Sequence, residues 1–171
     1  MTNKIIPAFL IAICMLLNAC SKNETLTFSI DAAQLKGEGP LFEGANTAQC
    51  NVKDALSAFI KEKELDMNKI QSIKLNSVTL SMPDSLNFDI YTSLILQFAS
   101  EKTDMFKAAV INPVPQGKSS VTMTVAQEQE SLLDLLKQDN FTMVADVNVA
   151  KDTAMDILMN ANLNFTIDYK K

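Results

Sequence analysis

The sequence predicts a mainly β fold, an antiparallel β-sandwich of about seven strands with one or two short helices in the crossovers; a closed β-barrel is the alternative. Three observations lead there. From Met155 to Tyr169 every second residue is apolar (Met155, Ile157, Met159, Ala161, Leu163, Phe165, Ile167, Tyr169). Asp156, Asn160, Asn162, Asn164, Thr166 and Asp168 stand between them, and only Leu158 breaks the rule. Alternation of that length needs one face on a core and the other in water. Five further stretches show the same period, Met105 to Ile111 is apolar on both faces as a central strand would be, and no strand–helix–strand rhythm points to a parallel sheet. The chain has no Trp, so the immunoglobulin Cys…Trp…Cys signature is missing and only the architecture is expected.

The amino-terminal stretch reads differently. Lys4 precedes the apolar run Ile5 to Leu17, with no acid among these residues. That is a positive segment followed by a hydrophobic one of secretion-signal length, short of the ~20 residues a membrane-spanning helix requires. The run ends in Leu17-Asn18-Ala19-Cys20, which resembles the lipobox of bacterial lipoproteins. The resemblance implies cleavage between Ala19 and Cys20, a diacylglycerol on the Cys20 sulfur and acylation of the new amino terminus. Several acyl chains hold a protein at a membrane where one chain does so only marginally. The chain then divides into a signal (1–19), a lipid-anchored tether (20–23) and a β-rich domain (24–171). Ser21 in place of Asp resembles the pattern that directs lipoproteins to the outer membrane. Ser21-Lys22-Asn23-Glu24 is similar to a surface-export tag but has one acid instead of two, which leaves periplasmic and surface-exposed orientations both open.

Along the domain, Leu26, Phe28 and Ile30 alternate with Thr25, Thr27 and Ser29, predicting a strand over 24–31. Residues 32–50 hold three of the four glycines and predict a long loop, mobile or functional. Asn51 is expected to cap a helix whose stripe is Val52, Ala55, Leu56, Phe59 and Ile60. A strand from Ile70 to Met82 changes parity at Asn76-Ser77, which predicts a β-bulge. Further strands are expected over 90–99, 105–111, 121–125 and 141–149. The turn Asn112 to Gly117 contains two prolines, and a capping box at Ser131 opens a short helix through Lys137.

Composition narrows the function. Removing residues 1–19 takes one lysine and no acid, which moves the formal charge from −5 to −6. All fifteen basic residues are Lys and there is no His. An acidic, Arg-free domain predicts no nucleic-acid partner. Without His there is no Ser–His or Cys–His pair and no imidazole metal site. Of the three cysteines, Cys14 leaves with the signal and Cys20 is taken by lipid, so Cys50 is expected as a lone, buried thiol. The oxygen-bearing sets Asp146, Asn148 and Asp152, and Asn160, Asn162, Asn164 and Asp168, lack the glycine-turned loop of a calcium site and read as a polar sheet face, with no metal. Ser57 and Lys61, four apart, are a chance spacing, and no catalytic residue or cofactor is expected. Met105, Met123, Met143, Met155 and Met159 fall on predicted inward faces, where methionines fill a core or line an apolar cavity.

The expectation is therefore an outer-membrane or cell-surface lipoprotein that is not an enzyme. Its domain would serve as an interaction or adhesion module for an unidentified protein or glycan partner. Carriage of a small hydrophobic ligand is the alternative, and a carboxylate-dependent hydrolase the second. Cys20 is the one residue with an assigned role: it joins the membrane through its acyl chains.

Overall fold

A computed structural model of the chain describes residues 23–83 and 86–171. The lipobox, with Ala19 and Cys20, lies outside the described residues. The described chain is mainly β, as the alternation predicts, and its strands close into a barrel rather than splitting into the two sheets of a sandwich. The strands are β1 (Asn23–Gly37), β2 (Gly44–Lys53), β3 (Ile70–Ser81) and β4 (Tyr91–Ala99), followed by β5 (Phe106–Ile111), β6 (Ser120–Val125), β7 (Asn140–Val149) and β8 (Ile157–Lys170). Around the wall the order is β1-β2-β7-β4-β5-β6-β3-β8, with β8 returning to β1, and every neighbouring pair is antiparallel.

Closure follows from β8. Its residues pair with β1 on one edge, from Asn23↔Lys170 to Gly37↔Ile157, and with β3 on the other, from Ile70↔Tyr169 to Ser81↔Asn160. The ring is complete because β2, β7, β4, β5 and β6 link β1 back to β3 without a break, whereas each sheet of a sandwich would end in two edge strands. Eight strands make a cylinder just wide enough for side chains to fill, and this one is filled. The inward row of β8, Ile157 to Tyr169, is buried at every second position, as are Leu94, Leu96 and Phe98 of β4 and Phe141, Met143 and Ala145 of β7. Phe28 and Phe165 stack at 5.2 Å between centroids, and Phe98 packs edge-on against Phe141 at 5.5 Å. No polar or charged residue is buried among those described.

The bulge at Asn76 is present. The β3–β8 register slips between Leu75 and Ser77, and burial passes from Ile73 and Leu75 to Val78 and Leu80. β1 has its own bulge between Ile30 and Ala33, where Ala32 takes φ 52° and donates its N–H to Asn162 Oδ1 at 2.7 Å.

Residues 32–50 are not one long loop. β1 continues to Gly37 and β2 starts at Gly44, so only Glu38–Glu43 connect them. The inward residues of β2 are Ala48, Cys50 and Val52, small enough to hide the period. At Gly37 a Cβ would stand 2.5 Å from the Thr47 carbonyl oxygen, so glycine permits the two strands to approach. Helix α1 (Ala55–Glu62) starts later than its stripe suggests, because Val52 still belongs to β2. Asn51 is no helix cap; its Oδ1 accepts from the Thr142 hydroxyl at 2.9 Å. Helix α2 (Leu132–Leu136) forms without the expected capping box, since the Ser131 side chain makes no cap bond, and buries Leu132, Leu135 and Leu136 instead.

Both helices sit at the end of the barrel where Asn23 enters, here the proximal end. Leu56 and Ile60 of α1 close that mouth together with α2, while Leu41, Phe88 and Val114 close the distal one.

Candidate functional site

The sequence-singled residues do not converge on a reacting centre. Most of the outward carboxylates and amides of these sets already bond to a protein group. Asp146 accepts from the Gln97 amide, and the Thr47 hydroxyl lies 3.5 Å from its other oxygen. Asp168 accepts from the Ser72 hydroxyl at 2.6 Å, and Asn164 Nδ2 donates to Ser77 Oγ at 3.1 Å. Asp152 accepts the Glu43 N–H at 2.7 Å, while Asn148 lies exposed on the wall. No group of three or more His, Cys, Asp or Glu able to hold a metal occurs among the described residues. The Ser57 hydroxyl donates to the Asp54 carbonyl at 3.1 Å, a helix-start contact unrelated to Lys61.

Cys50 keeps the inward parity of Ala48 and Val52 but is only half-buried. Removal from water disfavours its thiolate and pushes the thiol up to about 11. That is the reverse of an activated nucleophile. Tyr91 is wholly buried, its hydroxyl has no partner, and burial pushes its phenol up to about 12. Met123, Met143 and Met159 fill the barrel as predicted, whereas Met105 and Met155 lie outside the strands and are exposed. The alternating parity runs past the true strand ends at those two positions.

Two surface features stand out: the first lies within residues 32–50, which the sequence marks as mobile or functional, and the second is not singled out by the sequence. The first is the distal loop Glu38–Glu43, clasped to residues 152–156. Leu41 and Thr153 exchange backbone hydrogen bonds at 2.8 and 2.9 Å, and Gly39 N–H donates to Asp156 Oδ1 at 2.8 Å. Phe42 is held on both sides by one side chain. Asn46 Oδ1 accepts its N–H at 3.2 Å, and Asn46 Nδ2 donates to its carbonyl at 2.7 Å. Phe42 is 65% exposed, the most exposed large apolar residue among those described. Glu38, Glu43, Asp152 and Asp156 lie on the same two loops.

The second is a pair of adjoining open grooves of about 480 and 420 Å³ at the proximal end. They run along β1 from Glu24 to Ser29, and Ala55, Ala58 and Phe59 of α1 form the opposite wall. Phe28 and Phe59 meet there at 5.3 Å. No family model matches the chain, and no curated protein matches it either.

Proposed function

We propose that the protein is a lipid-anchored module of the outer membrane or cell surface, without enzymatic activity, which binds a partner through its distal loops. The observation that carries this reading is Phe42. A large apolar side chain left in water is a cost unless something covers it, and its backbone is already fixed by Asn46 and by the clasp of Leu41 to Thr153. Ordering such a residue in advance removes an entropic penalty from association, and rigid aromatic anchors of this kind carry much of the affinity of protein interfaces. The acids around it favour a partner whose apolar socket has a basic rim.

The rest of the molecule is consistent with a tethered scaffold. β1 begins at Asn23, three residues beyond Cys20, so acyl chains on Cys20 would place the proximal end at the lipid and Phe42 at the other end of a 15-residue strand. The barrel wall is polar outside (Asn160, Asn162, Asn164, Thr166) and apolar inside, the inverse of a membrane-spanning barrel, so this wall favours water around it. The packed interior leaves little room for carriage of a ligand, and the dispersed, hydrogen-bonded acids give a hydrolase little support.

Two measurements test the reading in cells. Cys20→Ala should abolish incorporation of labelled palmitate and release the domain from the membrane fraction; unchanged retention would remove the anchor from the proposal. A photo-crosslinking residue in place of Phe42 should give one discrete adduct that the same residue at outward-facing Thr166 does not. Identical adduct patterns at both positions would count against a distal binding surface.

A further inference from the structure

Among the described residues, the stretch of β1 from Asn23 to Ile30 has one edge that no strand covers. β1 and β2 are in register only at Lys36↔Gln49, although β1 begins at Asn23 and β2 runs to Lys53. From Asn23 to Ile30, β1 pairs residue by residue with β8. Among the described residues nothing hydrogen-bonds to the other edge of that stretch. In an antiparallel ladder the main-chain groups of alternate residues point to opposite edges. Half of this stretch therefore presents N–H and C=O groups away from β8, beside the grooves between β1 and α1.

Natural sheets protect such an edge with lysine, proline or a bulge within the strand, or with a helix or loop laid over it. Asn23–Ile30 contains no lysine and no proline, and its bulge comes only after Ile30. The barrel does have a device for an open edge elsewhere. β6 accompanies β3 only from Val78 onward, and at Leu75 the side chain of Gln129 takes the place of a strand by bonding both main-chain groups. Among the described residues no side chain does this for Asn23–Ile30, and α1 stands off from it across an open groove.

We infer that the groove between β1 and α1 is a docking site for an extended polypeptide segment of about six residues, which adds to β1 as a further strand. The backbone supplies the argument for a peptide. Unpaired N–H and C=O groups are satisfied by another main chain and not by an acyl chain, although Phe28, Phe59 and Leu26 would accept either against their apolar surface. The rim argues for an uncharged segment, because its charges are already matched within the protein. Glu24 pairs with Lys171 at 2.9 Å and Glu62 with Lys63 at 3.0 Å. The α1 wall argues for a free segment, since the edge of a second barrel would carry its own α1 into this one. Alternate residues of the segment face Phe28 and Phe59 and are apolar; the others face water beside Thr25 and Thr27.

The inference goes beyond the distal-loop reading, and the two fail separately, because peptide binding in nanodiscs requires neither Phe42 nor a cellular partner. The test uses the mature chain in phospholipid nanodiscs. The probes are an end-capped peptide of alternating threonine and valine with one terminal lysine, and the same peptide N-methylated at alternate residues. Amide exchange across Asn23–Ile30 is followed by NMR. The plain peptide should slow alternate amides of this stretch at least tenfold, and the N-methylated one should not. Ala58→Trp, which fills the groove from α1, should abolish the effect while exchange in the β4–β7 ladder stays unchanged; if that variant fails to fold, Ala58→Glu serves at the same place. Unaltered exchange at millimolar peptide would overturn the inference, as would equal protection by the N-methylated peptide. Displacement of the peptide by lauric acid would also overturn it, by marking the groove as a site for acyl chains.

Discussion

Gln129 stands in for a missing strand beside Leu75. Its Oε1 accepts the Leu75 N–H at 2.7 Å and its Nε2 donates to the Leu75 carbonyl at 3.2 Å, with a further bond to the Ala126 carbonyl at 3.0 Å. One half-buried side chain thus closes the wall at the bulged part of β3 and ties it to the segment leading into α2. Gln129→Ala should destabilise the fold by about 1–3 kcal/mol, the range for leaving main-chain groups of limited solvent access without partners. Gln129→Glu keeps the acceptor and places a carboxylate against two carbonyl oxygens, so it should be no better than Ala above neutral pH. Urea unfolding of the two variants at pH 7.5 measures both.

The Tyr91 hydroxyl is the opposite case, a buried donor with no partner. Replacing it with Phe keeps the ring against Phe88 and removes only the unsatisfied group. Tyr91→Phe should be neutral or stabilising by up to about 1 kcal/mol, where most buried substitutions destabilise. The two proteins should also separate in alkali. Burial raises this phenol from 10.0 to about 12. Its stabilising effect is complete below pH 10 and is lost as the pH rises towards 12, because the unfolded chain ionises first. Wild type should therefore lose about 2 kcal/mol more than Tyr91→Phe between pH 9 and pH 11.5, read from urea midpoints at the two values.

The fold was most legible where large apolar residues alternate. β8 and the parity change at Asn76 follow directly from side chains such as Leu163, Phe165 and Val78, because a one-residue slip would expose them all. β2 was not legible. Its inward positions are Ala48, Cys50 and Val52, whose contrast with Gln49 and Asn51 is slight, and the glycines that permit close strand approach look like loop punctuation. Barrel and sandwich share the same alternation, so long-range pairing had to separate them. The two surface features were hidden for a related reason. Phe42 gains meaning only through contacts with Asn46 and the clasp to Thr153, and the β1 groove depends on where β2 stops pairing.

Gly37 tests the approach of β1 to β2. An added methyl would meet the Thr47 carbonyl oxygen at 2.5 Å and the Ile157 side chain at 3.1 Å. The first contact is backbone and cannot rotate away. Gly37→Ala should therefore destabilise by about 1–3 kcal/mol despite the gain from restricting the unfolded chain. Gly117, at φ 68° with open space around a Cβ, is a control limited to backbone strain, and Gly117→Ala should cost only about 1 kcal/mol. Thermal melts of both variants rank them, and an equal loss at the two sites would show that the strands yield at Gly37.

Cys50 reports on the seam between β1 and β2, one residue from the Lys36↔Gln49 pair. Its thiol is half-buried and raised from 9.0 to about 11 by removal from water. At pH 8 it has about a hundredfold less thiolate than an ordinary cysteine, partly offset by the greater nucleophilicity of a more basic thiolate. Alkylation by iodoacetamide in the folded protein should thus be roughly ten- to a hundredfold slower than in urea. The folded rate should climb steadily from pH 8 towards 11, while the rate in urea levels off above pH 9. The same ionisation bears on stability: the contribution of a buried neutral thiol is complete below pH 9 and fades as the pH approaches 11, and partial exposure keeps it small. A folded-state rate that levels off at pH 9 would mean that Cys50 sits in water. The seam between β1 and β2 near the Lys36↔Gln49 pair would then be open, and the groove would extend further along β1 than Glu24 to Ser29.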